Sequence, residues 1–333
     1  MTTYFSTFIT GLREVVQTAI IKRIPDIKII KVLDGLVIYQ TNIKPDEIKK
    51  IRFLNNSFVL LKLVNGSLEQ LLKQLLIEKN LSREVSNYLP AKRISFRVMT
   101  WEENKSAAVN NQTLLSLERK IANDKLFVNR SRPHLEFGAL SRSEGISLFG
   151  LRVSGSKDMN NKSQPGQLRP ELANILCSLS QPAKDDVFLD PFSGYGSVPL
   201  ERAKYFPYKK VIAGDINPDL VEKLKSHSKQ LGKYFQIVLI DGADMKDIAS
   251  GSIDRIVTDP PWGEYSEIDV GQLYSRMVTE FNRVLKTDGI VVVLVADREF
   301  PRHYLQNSGL ALEDSYNILV SGNKATIFKL RKT

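Results

Sequence analysis

The sequence predicts an α/β protein, with a doubly wound parallel sheet in its C-terminal half and an α+β half before it. Three observations carry this. From Pro170 onward, short apolar runs alternate with amphipathic helical patterns, as in βα units wound around a parallel sheet. Acids close the runs, at Asp190, Asp215 and Asp259, with Asp241 and Asp244 just past another. The net charge of +10 is also unevenly spread, since residues 1–160 hold 25 Lys/Arg against 15 Asp/Glu and the remainder holds 22 of each. Positive charge confined to one half suggests a polyanion-binding module joined to a neutral catalytic or cofactor-binding one.

The first half reads as follows. "GLREVVQTAIIKRI" is an amphipathic helix, "IKIIKVLDGLVIYQT" is two strands turning at Asp34-Gly35, and "GSLEQLLKQLLIE" is a second helix. "RISFRVMTW" and "GISLFGLRVS" read as strands. The stretch from Ser154 to Gln167, rich in Ser, Asn and Gly and poor in apolar residues, reads as a boundary.

In the second half "RPELANILCSL" is a helix with Pro170 near its start, where a missing N–H does no harm. Strand "DVFLD", helix "VPLERAKYF", strand "KVIAGDI", helix "PDLVEKLKSHSKQL" and strands "FQIVLI" and "IDRIVTD" follow. Helix "LYSRMVTEFNRVL", strand "GIVVVLVAD", a short helix and two further strands complete the chain.

Composition narrows the class. The 333 residues suffice for two or three domains. No apolar run has the length of a membrane span, and the N-terminus lacks the pattern of a secretory signal, so a cytoplasmic protein is expected. The single cysteine, Cys177, excludes an internal disulfide framework and reads as a buried structural thiol. His134, His227 and His303 are far apart in sequence, and no metal site is expected.

In a doubly wound sheet the ligand lies beyond the carboxyl ends of the strands. The first loop there is "LDPFSGYGSVPLERA", where Asp190 ends a strand and Gly194 and Gly196 permit a tight turn and bare backbone beneath a ligand. Position 199 is Pro199, where a dinucleotide fingerprint would want a third glycine. The second loop, "GDINPD", offers the Asp215 carboxylate to both hydroxyls of a ribose, which suits NAD as well as any other adenosine cofactor. In the third, "DGADMKDI", Asp241 or Asp244 follows the strand.

These residues resemble the class I S-adenosylmethionine-dependent methyltransferases. The resemblance makes Asp190, Phe192, Gly194 and Gly196 the first cofactor motif, Asp215 and Ile216 the ribose-binding element, and Asp244 the adenine-contacting acid. "DPPW", Asp259 to Trp262, resembles the Asp/Asn-Pro-Pro-aromatic motif of enzymes that methylate exocyclic amines of nucleobases. Such an amine is a poor nucleophile, because its lone pair is delocalised into the ring. Two fixed acceptors, the Asp259 carboxylate and the Pro260 carbonyl, favour a more nucleophilic nitrogen, and Pro261 helps hold the turn rigid. Trp262 offers a stacking face to an extruded base, and Asp259 also borders the cofactor. The donor methyl is already activated, so this chemistry needs no metal and no covalent nucleophile.

Nearly the whole chain resembles the THUMP-domain RNA methyltransferases of the tRNA guanine-N2 type, most specifically over "GQLRPELANILCSLSQPAKDDVFLDPFSGYGS". That resemblance implies a ferredoxin-like domain over 1–55, a THUMP RNA-binding domain over 56–155, a linker over 156–168 and a Rossmann-like methyltransferase domain over 169–333. It implies S-adenosyl-L-methionine as cofactor, tRNA as partner and N2-methylguanosine as product. Arg93, Arg97, Arg130 and Arg132 flank the expected THUMP strands and are the RNA-binding candidates. Ser193, Tyr195 and Trp262 depart from the residues common in the family, Tyr195 near the methionine end of the cofactor. An N6-adenine methyltransferase acting on RNA or DNA is the runner-up, because it faces the same problem of amine nucleophilicity. A non-catalytic RNA-binding subunit is the rival from another class.

Overall fold

The computed structural model describes residues 1–89, 92–154, 167–263 and 269–333. It divides into two compact units, Met1–Phe8 with Glu14–Asn160, and Ile9–Arg13 with Asn161–Thr333.

The first unit opens with β1 (Thr2–Thr7), α1 (Arg13–Arg23), β2 (Lys28–Leu33), β3 (Leu36–Thr41), α2 (Pro45–Ile48) and β4 (Asn56–Asn65). This βαββαβ run has the strand order β2-β3-β1-β4 of a ferredoxin-like unit. Its last strand, read from sequence as neither strand nor helix, lies past residue 55. Then come α3 (Leu68–Ile77), α4 (Leu81–Ser86), β5 (Ile94–Glu102), β6 (Lys105–Ser106), α5 (Asn111–Ile121), β7 (Leu126–Val128), β8 (Leu135–Arg142) and β9 (Ile146–Arg152). Ser67 and Gln70 form a capping box that starts α3, whose Leu68, Leu71, Leu72 and Leu75 are buried. Because β9 pairs antiparallel with β4, the two sets of strands join in one sheet, β2-β3-β1-β4-β9-β8-β5-β6, with β7 beside β5.

The second unit starts with α6 (Pro170–Leu179), β10 (Val187–Asp190), α7 (Ser197–Tyr205), β11 (Lys210–Asp215), α8 (Pro218–Ser228) and, after a 3-10 turn, β12 (Phe235–Leu239). It continues with β13 (Ile253–Thr258), α9 (Val270–Val284), β14 (Leu285–Val295), α10 (Phe300–Tyr304), β15 (Leu310–Val320) and β16 (Asn323–Lys332). The order is β12-β11-β10-β13-β14-β16-β15. The first five strands are parallel, and β16 enters antiparallel between β14 and β15, because a tight hairpin rather than a helix joins β15 to β16. β14 is buried from Gly289's neighbour Ile290 to Val295 and reads as a continuous apolar run, as a central strand covered on both faces should. Helix α9 turns Tyr274, Met277, Val278, Phe281 and Val284 into the core, a spacing of three and four residues. Cys177 is fully buried in α6 and its thiol is pushed far up by burial, so it stays protonated. No helix among the described residues is long and apolar enough to cross a membrane.

The chain runs from β10 outward through β11 to β12, then returns to lay β13 on the other side of β10. That reversal opens a crevice between the carboxyl ends of β10 and β13. Asp190 and Asp259 stand at its two sides.

Candidate active site

The crevice holds a cavity of about 220 Å³ lined by residues that include Asp190, Phe192, Gly194, Tyr195, Leu220 and Asp259. Among the described residues, no lysine or arginine lines it.

Asp190 is almost entirely buried at the end of β10. Its Oδ1 accepts from the Thr258 hydroxyl at 2.7 Å and from the Phe192 N–H at 3.2 Å. Burial nevertheless pushes its carboxyl up to about 8, and the nearby Asp259 and Asp215 push in the same direction. The Thr258 bond depends on parallel pairing of β10 with β13, with Leu189 opposite Ile256, so the strands that form the crevice also tie Asp190 to the residue that precedes Asp259.

Gly194 and Gly196 have φ of +52° and +85°, values that a side chain disfavours. A Cβ at Gly194 would meet nothing within 4 Å, so open space lies above bare backbone there. A Cβ at Gly196 would press to 2.3 Å from a Leu224 methyl, so this glycine allows the loop to pack on α8. The Asp215 carboxylate ties the two loops together. Its Oδ2 accepts from the Gly194 N–H at 2.8 Å and its Oδ1 from the Asn217 N–H at 2.9 Å. Each oxygen keeps a free lone pair for a further donor. Ile216, next in the chain, is 66% exposed at the end of β11.

The third loop meets the first through Phe192, whose ring lies where a Cβ on Gly242 would be, 2.5 Å from its nearest carbon. Asp244 pairs with the exposed Lys246 at 2.8 Å, and Asp241 lies 3.5 Å from Arg276 of α9.

Asp259 follows β13 and is partly buried. Burial pushes its carboxyl up to about 7, against the pull of the Trp262 indole N–H, which donates to Oδ1 at 3.0 Å. The same N–H lies 3.3 Å from the Leu294 carbonyl of β14. Pro260 is buried and Pro261 exposed, and the Pro261 carbonyl accepts from the Tyr274 hydroxyl of α9 at 3.0 Å. The turn from Asp259 to Trp262 is therefore braced from both β14 and α9.

Several of these residues escaped the sequence reading. Gln167 and Leu168, assigned there to the linker, line the cavity, as do Ser197, Val198 and Leu220. Residues 156–166 of that linker lie outside the described residues. Thr258, Gly242 and Tyr274 act through partners remote in sequence and carry no local signal.

The four candidate RNA-binding arginines belong to the first unit. Arg97 donates Nε to Glu136 at 2.7 Å and also contacts the Arg130 carbonyl. Arg130 forks onto the buried Glu118 at 3.0 and 2.6 Å. Arg93 lies over the half-exposed Phe127 ring, 5.1 Å from its centre. Arg132 is exposed.

The family of RMKL-like methyltransferase domains matches residues 157–325. Among curated proteins, the U6 snRNA (guanine-N(2))-methyltransferase THUMPD2 of Bos taurus is 28% identical over 131 residues, 39% of this chain and 26% of that one. The tRNA (guanine(6)-N(2))-methyltransferase THUMP3 of Mus musculus is 28% identical over 186 residues, 51% of this chain and 37% of that one. The matched part thus spans about a quarter to somewhat over a third of these relatives' length. Among solved structures, TrmN from Thermus thermophilus aligns over 100% of both chains with a TM-score of 0.81 at 19% identity, a likeness of fold.

Proposed function

The chain belongs to the family of RMKL-like methyltransferase domains, and from that premise we propose that it transfers a methyl group from S-adenosyl-L-methionine to the exocyclic N2 amine of a guanosine in tRNA. The observation that carries the reading is the pair of carboxyls, Asp190 and Asp259, facing one cavity that no lysine or arginine lines among the described residues. Buried acids without a cation are costly. A ligand bearing positive charge relieves that cost, and S-adenosyl-L-methionine carries two such charges, a sulfonium and an ammonium.

The residues fit that ligand. Open space above Gly194 admits it against bare backbone, Asp215 has lone pairs free for ribose hydroxyls, and exposed Ile216 offers an apolar contact to the base. Asp244, on the loop that cradles Phe192, is the acceptor for an adenine amine, and Gly196 holds the loop on α8. When bound, S-adenosyl-L-methionine supplies a methyl group already activated on sulfur.

The remaining work falls to this chain. Asp259 and the Pro260 carbonyl accept the two hydrogens of the target amine and favour the geometry in which its lone pair points at the methyl carbon. As the new N–C bond forms and the methyl's bond to sulfur breaks, its electron pair staying on sulfur, positive charge would grow on nitrogen beside the Asp259 carboxylate, which is placed to take the proton that leaves. The buried Pro260 and the Tyr274 bond to Pro261 keep the acceptors from drifting. Trp262 borders the space for the extruded base.

The relatives' names support guanine N2 as the acceptor, and the basic first half supports a folded RNA as its carrier. We assign RNA engagement to a ferredoxin-like and THUMP half, with Arg132 exposed, Arg93 resting on the Phe127 ring without a carboxylate partner among the described residues, and Arg97 and Arg130 contributing only where their internal partners yield. A cytoplasmic setting goes with tRNA as substrate. Incubation with labelled S-adenosyl-L-methionine and unmodified total tRNA, followed by nucleoside analysis, tests the reading. Labelled N2-methylguanosine is expected. Label in N6-methyladenosine would move the assignment to the adenine class, and transfer to U6 snRNA in place of tRNA would change the carrier.

A further inference from the structure

We propose that the indole N–H of Trp262 is a positioning donor: it commits one oxygen of the Asp259 carboxylate and leaves the other to the acceptor amine. This rests on the functional reading above and deepens it, since that reading gave Trp262 only a face to stack upon.

The geometry is specific. An indole has one donor and no acceptor. Here that donor points away from solvent, at Asp259 Oδ1 3.0 Å away and toward the Leu294 carbonyl at 3.3 Å. Leu294 is fully buried in β14, so its carbonyl is a fixed reference for the ring. The ring in turn is a fixed reference for the carboxylate. A carboxylate on a free rotor presents either oxygen in many directions; with Oδ1 held, Oδ2 presents its lone pairs in one. A phenylalanine at 262 would keep the aromatic face and lose the hold.

The same contact acts on ionisation. Among the described residues, the titratable groups facing Asp259 are Asp190 from the end of β10 and Tyr274 from α9, the latter backed by Tyr304 and Asp297. None of these favours a charged Asp259. The Trp262 N–H does, by donating to the carboxylate, and it opposes the burial that pushes the group up. Removing it should therefore raise the pH at which the site becomes competent.

Two measurements on the full chain test this. Tryptophan occurs twice, at Trp101 and Trp262, so a Trp101→Phe background isolates the emission of Trp262. That emission should titrate with a midpoint near 7 as its hydrogen-bond acceptor ionises, and the titration should vanish with Asp259→Asn. An emission that is flat across pH 5–9, or that titrates unchanged in Asp259→Asn, overturns the proposal whatever the acceptor proves to be. The second measurement is the pH profile of kcat/KM for Trp262→Phe, which reports the free enzyme's essential groups. A rise of one unit would lower the rate about tenfold at pH 6, about fivefold at pH 7 and hardly at all at pH 9. A loss equal at every pH and confined to KM for RNA would mean that the ring only stacks, and would overturn the proposal. Failure of the wild-type protein to make N2-methylguanosine would overturn the functional reading instead, and the fluorescence titration would still decide the N–H contact.

Discussion

Asp186 and Asp190 bracket one short strand, four residues apart in sequence, and both are hidden from water, at 4% and 1% exposure. Their surroundings differ completely. At the amino edge Asp186 accepts from the buried Arg202 at 2.7 Å and from the Ala183 N–H at 2.7 Å, with Arg255 at 3.7 Å. At the carboxyl edge, among the described residues, Asp190 has a hydroxyl and one backbone N–H, and its neighbouring charges are other acids. The first unit repeats the amino-edge solution, where buried Glu118 and Glu136 are each held by arginine. A paired buried acid stabilises a fold through its partner. An unpaired one is poised for a ligand.

The largest expected effect attacks the paired edge. Arg202→Met keeps volume and removes the charge, leaving Asp186 buried with the more distant Arg255, and should cost about 3–5 kcal/mol of stability. Denaturant unfolding measures it, and the fraction that remains folded should still bind cofactor. A loss below about 1 kcal/mol would mean that Arg255 alone suffices to hold Asp186. The unpaired edge should respond in the opposite way. Asp259→Asn preserves an acceptor for the Trp262 N–H but cannot carry charge, so methyl transfer should fall about 10²–10³-fold while melting temperature holds or rises. Matched losses of activity and stability would show that Asp259 belongs with Asp186 as a structural acid.

A smaller effect separates the edges by pH. Asp190 and Asp259, ordinarily near 3.8, are raised to about 8 and about 7 in the folded chain. The folded state then holds protons that the unfolded state has released. The stability this contributes is complete below about pH 4 and is lost as the pH climbs through 7 and 8. Asp190→Asn can still accept both of its hydrogen bonds, and it should flatten that decline. Between pH 6 and pH 8.5 the wild-type protein should lose about 2–3 kcal/mol more than the variant, a further drop in melting temperature of about 5–10 °C. Parallel curves would show that burial leaves Asp190 ionised throughout.

How much of this contrast was legible in the sequence follows from where each partner lies. Acids at strand ends are local features, and the rule that ligands gather at the carboxyl edge makes Asp190, Asp215 and Asp259 conspicuous without coordinates. The Gly194 and Gly196 turn is equally local. The Thr258 bond to Asp190 arises only when β10 and β13 align, and the lodging of Phe192 over Gly242 only when the third loop folds back. Strand β4 was missed because "NSFVLLKLVN" does not alternate cleanly, and its pairing with β9 comes from nearly the other end of that unit. Gln167 and Leu168 were hidden by composition, since a polar stretch beside a helix start reads as linker even where it ends in a cavity wall. The arginines were the hardest to judge. A strand-flanking arginine looks the same in sequence whether it reaches a buried glutamate or solvent.

That ambiguity makes the smallest expected effect the most discriminating. Arg132 is exposed, and Arg130, two residues away, forks onto Glu118, which is 2% exposed. If RNA binding draws on free cations, Arg132→Ala should weaken tRNA binding by roughly 1 kcal/mol and lower the salt dependence by about one counterion, with unfolding unchanged. Arg130→Ala should do the reverse, leaving Glu118 buried without its partner and costing stability first. Binding isotherms between 50 and 200 mM salt, beside melting curves, read both quantities for each variant. An Arg130→Ala protein that is stable but weakened on RNA would show that the Glu118 pair opens to meet phosphate. The internal carboxylates of the first unit would then be resting partners that RNA displaces, and pairing alone would no longer distinguish structural acids from functional ones in that half of the chain.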